Sequence, residues 1–276
     1  GTDFPKLSFS GTSNTYNQAS NNGLNDGFIL RFDLNGNLDW GSYFGSGFDD
    51  VISDVFVVPQ SGSDFKLYIS GTTKANAYDQ INTCLPPAIG GDFPNCNAPN
   101  GSQFSPNGNI DAFLAEFNSN LELDWSTFLG GTSLEFVTTH NLTGYENILY
   151  FAIESTNETS GYPSAPLCSC YTVTPLPGSI INEGDAYIAK FSSNTLTWLT
   201  FWGGFELDQI NAIYCSEQDL IITGSSKSSS TTFNYCNIPG VGEFPYCQGS
   251  GNSGFYVQNY YSTNVNYADG FIAEFN

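Results

Sequence analysis

The chain has 276 residues, of which 40% are hydrophobic and 16% aromatic, enough apolar material for one large packed domain or two ordinary ones. Only six Lys and Arg residues accompany 27 Asp and Glu residues, so the formal net charge is −21. This charge argues against nucleic acid or an anionic membrane as a partner, because both would repel the chain. No apolar run approaches the ~18 residues of a membrane-spanning helix, so no membrane insertion is expected.

The sequence contains no Met and opens on Gly1, which indicates a processed or partial chain. Residues 1–25 lack an alternating pattern and are rich in Gly, Asn, Ser and Thr, so they are expected to form a loop. From Phe28 to Phe32 the alternation predicts a strand with Phe28, Leu30 and Phe32 on one face.

The next five residues, from Asp33 to Asn37, predict a tight hairpin turn, since Asn-Gly is a strong hairpin signal. The same residues imitate the start of a calcium loop, D-x-N-x-N. The turns at the corresponding positions, Asn118-Ser119-Asn120 and Ser192-Ser193-Asn194, lack Asp. A plain hairpin is therefore favoured, and we expect no cofactor, with calcium at this turn as the alternative.

Further strand-like segments follow, rich in Phe, Tyr, Val, Ile and Thr and separated by Gly, Asn and Asp turns. They span residues 51–58, 65–71, 136–142, 148–153, 210–215, 220–224 and 271–275. Asp49-Asp50 precedes the first of them, and an acid recurs at the second place in Glu135 and Asp208. We interpret this acid as a turn or strand-start residue.

A repeat organises these segments. The heptapeptide DGFILRF at Asp26 recurs as DAFLAEF at Asp111, DAYIAKF at Asp185 and DGFIAEF at Asp269, in steps of 85, 74 and 84 residues. The units are thus 26–110, 111–184 and 185–268, with the start of a fourth at 269–276. Each full unit holds four short strands, and because one such sheet cannot bury both faces alone, the units are expected to stack radially. The prediction is an all-β propeller with four-stranded antiparallel blades, forming a partial ring.

One position of the repeat is always Trp. Trp40, Trp125 and Trp198 are each followed three residues later by a further aromatic residue. A large aromatic side chain at a fixed position of every unit is typical of packing between blades, so these three residues are expected in the inter-blade core.

The succession of [DG]-[AG]-[FY]-x-x-x-F, W-x-x-[FY]-[FLW]-G and [YI]-x-[STA]-G, with DFP at Asp3 and Asp92, resembles the bacterial β-propeller repeat known as SBBP. The resemblance covers the strands, about half of the chain, and not the long segments between them. It implies a propeller in which strands like 51–58 are innermost and the Trp strands outermost. It also implies an exported protein of Bacteroidota type and carries over no catalytic residue.

Long segments separate the units: residues 72–109, 154–184 and 225–268, which are rich in Pro, Gly, Asn and Ser and far longer than ordinary connections. Six of the seven Cys residues lie in them. Cys84 and Cys96 bracket one Pro-Gly motif, and Cys236 and Cys247 bracket its counterpart. We therefore predict the disulfides Cys84–Cys96 and Cys236–Cys247, which suit an oxidising compartment.

The remaining thiols leave alternatives open. Cys168 and Cys170 form a C-x-C pair with no second thiol pair or His nearby, since His140 lies about one unit away, so a local bridge is favoured over a metal. Cys215 lies in an apolar segment and is expected to be a buried free thiol.

The sequence holds no nucleophile elbow, HExxH, CxxC pair, Walker loop or strand-linked GxGxxG. We therefore predict a non-enzymatic extracellular or outer-membrane surface domain that binds a glycan or protein through its insertions, as adhesins do. The alternatives are a carbohydrate-active enzyme with paired carboxylates on the propeller face and a structural spacer in a surface fibre or assembly. Further blades of the same polypeptide are an expected partner of the terminal strands.

Overall fold

The computed structural model describes residues 14–75, 84–86, 92–156, 184–203, 207–217, 219–227 and 268–275. Within these ranges the chain forms β-strands, all paired antiparallel, and no helix. The all-β class predicted from the sequence is confirmed. In these ranges there is also no helix that could span a membrane.

The strands form four sheets that follow one another along the chain. Sheet 1 contains β1 (Gly27–Phe32) and β2 (Leu38–Phe44). Sheet 2 contains, in spatial order, β3 (Asp50–Pro59), β4 (Phe65–Thr73), β5 (Asp111–Phe117) and β6 (Leu123–Leu129). Sheet 3 contains β7 (Glu135–Phe136) and β8 (Leu142–Tyr145), both paired with β9 (Ile148–Ser155), then β10 (Asp185–Ser192) and β11 (Thr195–Trp202). Sheet 4 contains β12 (Asp208–Cys215), β13 (Leu220–Ser226) and β14 (Asp269–Phe275).

Each sequence unit is divided between two sheets. In the unit 26–110, β1 and β2 belong to sheet 1, whereas β3 and β4 belong to sheet 2. The units that begin at Asp111 and Asp185 are divided in the same way. The sequence repeat and the sheet are therefore offset by two strands, so that sheets 2, 3 and 4 each join the end of one unit to the start of the next.

The segment 136–142, predicted as one strand, is instead interrupted between β7 and β8. The interruption has a physical reason, because two of the intervening residues, Thr138 and His140, bond to sheet 4. The Thr138 hydroxyl donates to the carbonyl of Ile210 at 3.2 Å, and the amide of Ile213 donates to the carbonyl of His140 at 3.0 Å. His140 adopts a positive φ of 62° at this point.

The first strands of sheets 2, 3 and 4 lie side by side. The amide of Leu142 in β8 donates to Asp54 Oδ2 of β3 at 3.0 Å, and the amide of Cys215 in β12 donates to Thr143 Oγ1 of β8 at 2.9 Å. The Trp strands β2, β6 and β11 lie at the opposite side of their sheets. The first strands of sheets 2, 3 and 4 are therefore in contact with one another, and the Trp strands lie farthest from these contacts in the strand order of each sheet.

Aromatic side chains fill the space between successive sheets. Trp40 of sheet 1 packs edge-on against Phe117 of sheet 2, with ring centroids 6.3 Å apart. Trp125 of sheet 2 stacks on Phe191 of sheet 3, which occupies the same repeat position as Phe117, with ring centroids 6.0 Å apart. Both Trp side chains are buried. Trp198 of sheet 3 is half-buried and packs against the partly buried Tyr150 of its own sheet.

The outward face of sheet 1 shows what happens where this stacking ends. Phe113 and Phe117 of β5 are fully buried against sheet 1. The corresponding residues of β1, Phe28 and Phe32, are each 55% exposed. The same apolar pattern is thus core in β5, which faces sheet 1, and surface in β1, whose outward face meets no further sheet among the described residues.

Candidate functional site: an acidic row at the insertion edge

All three long connections leave and rejoin their sheets at one edge. Residues 74–110, 156–184 and 227–268 link the second strand of a sheet to the third, after Thr73, Ser155 and Ser226. We call this end of the strands the insertion edge. The opposite edge, which we call the short-turn edge, carries the hairpin turns 33–37, 60–64, 118–122, 146–147 and 193–194.

Acidic and hydroxyl residues alternate across sheets 2, 3 and 4 at the insertion edge. In sheet 2, Thr73 is paired with Asp50 on one side and with Asp111 on the other. The same order of acid, hydroxyl and acid recurs in sheets 3 and 4, through the sets Glu135, Ser155, Asp185 and Asp208, Ser226, Asp269. We call these nine residues, together with Asp26, the acidic row.

A pair of carboxyl groups lies at the junction of sheets 1 and 2 and again at the junction of sheets 2 and 3. A Cβ atom placed on Gly45 would lie 2.8 Å from Asp50 Oδ2 and 2.9 Å from Asp26 Cγ. A Cβ atom on Gly130 would lie closer than 3.0 Å to carboxylate oxygens of both Asp111 and Glu135. The two acids of each pair thus lie within about 6 Å, where like charges disfavour joint ionisation. A larger residue at either glycine would require the two carboxyl groups to shift.

The first acid of each pair is held by a preceding turn. The amide of Asn22 donates to Asp26 Oδ2 at 2.8 Å, and the amide of Asn107 donates to Asp111 Oδ1 at 3.0 Å. A glutamine eight residues before the acid completes the arrangement. Its side-chain oxygen accepts the amide of the linking glycine, Gln18 from Gly45 at 3.1 Å and Gln103 from Gly130 at 2.7 Å.

The second acid of each pair is bound by the loop that follows the Trp strand. Asp50 Oδ2 accepts both the amide and the hydroxyl of Ser46, at 2.6 and 2.8 Å. Glu135 Oε1 accepts the amide of Gly131 at 3.0 Å. Asp50, Glu135 and Asp208 each begin a strand, as expected from the sequence. The sequence did not reveal their close partners in the neighbouring sheet.

Burial changes the acidity of these groups. Asp50 is 1% exposed, and burial, opposed by hydrogen bonds from Ser46 and reinforced by the charge of Asp26, raises the pKa of Asp50 to about 6. Burial likewise raises the pKa of Asp26 and of Asp111. Oδ1 of Asp26 and Oδ1 of Asp50 are buried and make no hydrogen bond to the described residues.

The described part of the first insertion packs against sheets 1 and 2 and covers the outer strand β6. Cys84 and Cys96 form the predicted disulfide. Beside it, Phe93 of the DFP motif is 1% exposed and lies between the sheets, with its ring 5.4 Å from Phe44 and 5.0 Å from Phe113. The segment then follows β6, because the amide of Ser126 donates to the carbonyl of Cys96. This protects an otherwise open sheet edge.

The alternative calcium loop at Asp33 is a hydrogen-bonded hairpin turn. Asp33 Oδ1 accepts the amides of Asn35 and Asn37, at 2.9 and 2.8 Å. In the next unit Asn118 Oδ1 accepts the amides of Asn120 and Glu122 in the same way. Because an uncharged amide performs the same task, the geometry favours a turn over a metal ligand.

The other predicted cysteine sites fall in different places. Cys215 is a free thiol that is half-buried rather than fully buried. The predicted pair Cys236 and Cys247, like Cys168 and Cys170, lies outside the described residues. His140, the one histidine, lies in the exposed part of the link between β7 and β8.

Sequence reasoning found the strands but missed the acidic row as a connected feature. Its signal is present as Q-x3-N-G-x2-D followed by G-x4-[DE], at Gln18 to Asp50 and again at Gln103 to Glu135. Comparison with known proteins assigns no function to it, since no family model matches the chain and no curated protein is significantly similar to it.

Proposed function

We propose that this chain is a non-enzymatic repeat domain of β-propeller type, exported to the bacterial surface, which binds a glycan or protein partner through insertions presented at one edge. The observation that carries the proposal is the common insertion edge. Three successive sheets have their longest connections at the same edge, whereas the connections between described strands at the other edge are short turns. Loops held together on a rigid scaffold are the usual place for recognition.

The convergence of the first strands supports the propeller part of the proposal. Leu142 and Cys215 bond across successive sheets at their first strands, and sheets that converge at one strand while stacking face to face form a radial array. The SBBP resemblance predicts the same arrangement. In this proposal the offset between unit and sheet holds neighbouring units together, because sheets 2, 3 and 4 each contain strands of two successive units.

The disulfide supports export. Cys84–Cys96 closes the root of the first insertion, and such bonds persist chiefly in oxidising compartments. A net charge of −21 further directs the choice of partner towards neutral glycans or proteins with basic surfaces.

The carboxylate pairs are the feature on which an enzymatic alternative would depend. Glycosidases place two carboxyl groups on either side of a substrate bond. Here Asp50, Asp111 and Glu135 are at most 1% exposed, and equivalent pairs recur at successive sheet junctions. Burial and repetition favour a structural task for these acids, and therefore favour binding over hydrolysis.

A binding screen with matched variants tests the proposal. The chain is applied to a glycan array and to immobilised fibronectin and collagen, alongside a variant in which a short Gly-Ser linker replaces residues 228–267. A control variant carries the sequence of residues 118–122 in place of residues 33–37. We expect the insertion variant to lose at least ~10-fold in affinity for a probe that the wild type binds, with the control unchanged.

Each other outcome points to an alternative. Absence of binding to every probe would favour the structural spacer. Release of reducing sugars from the arrayed glycans, abolished by Asp50→Asn, would overturn the proposal in favour of a carbohydrate-active enzyme.

A further inference from the structure

One apolar contact recurs at each of the three junctions between successive sheets. The fourth residue of the repeated heptapeptide is buried in the first three copies, as Ile29, Leu114 and Ile188. Each lies in the same core cluster as aromatic residues of the following sheet. At the junction of sheets 2 and 3, for example, Leu114 shares a cluster with Tyr187 and Phe191. A junction therefore joins an aliphatic residue of one sheet to the aromatic positions of the next.

Both halves of this contact are exposed at the two ends of the array. Ile272 of sheet 4, the fourth residue of its heptapeptide, is 65% exposed. Phe28 and Phe32, on the outward face of sheet 1, are each 55% exposed. The residues at the same three positions in sheets 2 and 3 are at most 3% exposed. Sheet 4 thus presents the aliphatic half of a junction, and sheet 1 presents the aromatic half.

A second apolar residue of sheet 4 lies on the same side as Ile272. Through the strand register, Tyr214 occupies the position that Phe56 has in sheet 2. Phe56 packs against the core between sheets 2 and 3, whereas Tyr214 is 62% exposed. The exposed Glu274 follows Ile272 by two residues and therefore shares its side of the strand. We call Tyr214, Ile272 and Glu274 the free face of sheet 4.

We propose that a second copy of this chain stacks the outward face of its sheet 1 on the free face of sheet 4, so that copies associate head to tail. The contact repeats the junctions within the chain, with Ile272 of one copy against Phe28 and Phe32 of the next. The three internal junctions favour this occupant over an unrelated protein, because they show which residues such a face packs against. Since the two faces differ, the contact is heterologous, and copies can add at both ends.

Size and charge make this contact weak. At the usual strand spacing and rise, β1 and β2 present a face of only about 200 Å², well below the ~800 Å² per partner of a standard interface. Each copy carries a net charge of −21, and the ion pairs among the described residues do not include Glu274. Repulsion therefore opposes the association, and salt should strengthen it. We expect a Kd on the order of 0.1 mM in about 0.5 M NaCl.

Sedimentation equilibrium of the whole chain, at protein concentrations up to about 0.5 mM, tests the contact. Ile272→Asp disables the free face of sheet 4, and Phe32→Asp disables the outward face of sheet 1. Leu34→Asp makes the same kind of change at a fully exposed short turn and is the control. We expect wild type and Leu34→Asp to exceed the monomer mass, and each face variant alone to associate at least ~10-fold more weakly. An equimolar mixture of the two face variants should form dimers and nothing larger, because it retains one intact pair of faces.

The contrary results are specific. A wild type that stays monomeric in high salt would overturn the proposal, as would wild-type association of Ile272→Asp alone, because the contact would then use another surface. Circular dichroism checks the fold of each variant, and Phe32→Ser replaces Phe32→Asp if the latter does not fold. Tyr214→Asp is a second variant of the free face and should also weaken association.

A gain of association supplies a readout that misfolding cannot produce. Glu274→Gln removes an unpaired negative charge from the free face, so it should strengthen the association about 3-fold. An unchanged or weaker association of Glu274→Gln would contradict the contact.

Discussion

Ser155 donates a hydrogen bond of 3.2 Å from its Oγ to Oε1 of Glu135, the residue that it faces across β9 and β7. Both side chains are buried. In the same sheet the backbone of Ser155 is also paired with Asp185, so Ser155 lies at the start of an insertion and is paired with an acidic residue on each side. The acidic row therefore lies both at the junctions between neighbouring sheets and at the points where the insertions leave.

Ser155→Ala should destabilise the protein. The substitution removes a donor to a buried carboxylate and leaves Glu135 with less compensation for its burial, so we expect a loss of about 1 to 3 kcal/mol in the free energy of unfolding, measured by urea titration. Ser61→Ala, at an exposed short turn, is the control and should change stability by less than about 0.5 kcal/mol. Equal effects at the two sites would show that the Ser155 hydroxyl has no special part in the row.

Trp125→Ala should cost about 3 to 5 kcal/mol, because the substitution leaves a cavity between two sheets. Trp125 is 3% exposed and stacks on Phe191. Its ring centroid also lies 6.2 Å from that of Tyr68. Trp198 occupies the same repeat position but is half-buried, so Trp198→Ala should cost distinctly less. Calorimetric Tm values of the two variants check this order, and the reverse order would contradict the packing described.

Stability should increase on mild acidification. The raised pKa of Asp50, about 6, means that the folded protein takes up a proton before the unfolded chain does. The stabilisation from this group is therefore fully present below the unfolded pKa, near 4, and is lost as pH rises through about 6. A shift of this size corresponds to roughly 3 kcal/mol.

The measurement is Tm between pH 8 and pH 5. We expect Tm to rise towards pH 5 in the wild type and in Asp33→Asn. The rise should be smaller in Asp50→Asn, which lacks the titrating group. A Tm that falls steadily from pH 8 to pH 5 in the wild type would contradict the burial of the pair.

The disulfide Cys84–Cys96 should stabilise the first insertion. It closes a short loop beside Phe93, and its removal in Cys84→Ser/Cys96→Ser should cost about 2 to 4 kcal/mol. Alkylation followed by peptide mass analysis should label Cys84 and Cys96 only after reduction. The same experiment reports on the predicted Cys236–Cys247 pair. Labelling of Cys84 without reductant would contradict the structure.

The strands could be predicted because their pattern is local. Alternation and turn residues place β1, β3 and β9 within a few residues of their observed bounds. The interruption at His140 could not be predicted in this way, because its hydrogen bonds go to a distant strand of sheet 4. Local propensity cannot reveal a contact made across more than 70 residues.

The acidic row illustrates the same limit. The recurrence of an acid at Asp50 and Glu135 was visible in the sequence, and its role at the start of a strand was predicted. The meeting of Asp50 with Asp26, however, depends on how two sheets pack, and the offset between unit and sheet conceals it. Exposure of Phe28 and burial of Phe113 show the same dependence on neighbours.

Hydrogen–deuterium exchange with and without a bound probe tests the central claim most directly. The probe is the glycan or matrix protein that binds most tightly in the screen, and the readout is protection along the chain. We predict new protection at the insertion edge, in the insertions and around Leu24 and Thr132, with none at the turns 33–37 and 60–64. Protection confined to those short turns would contradict the account, because recognition would then use the edge that carries no insertion.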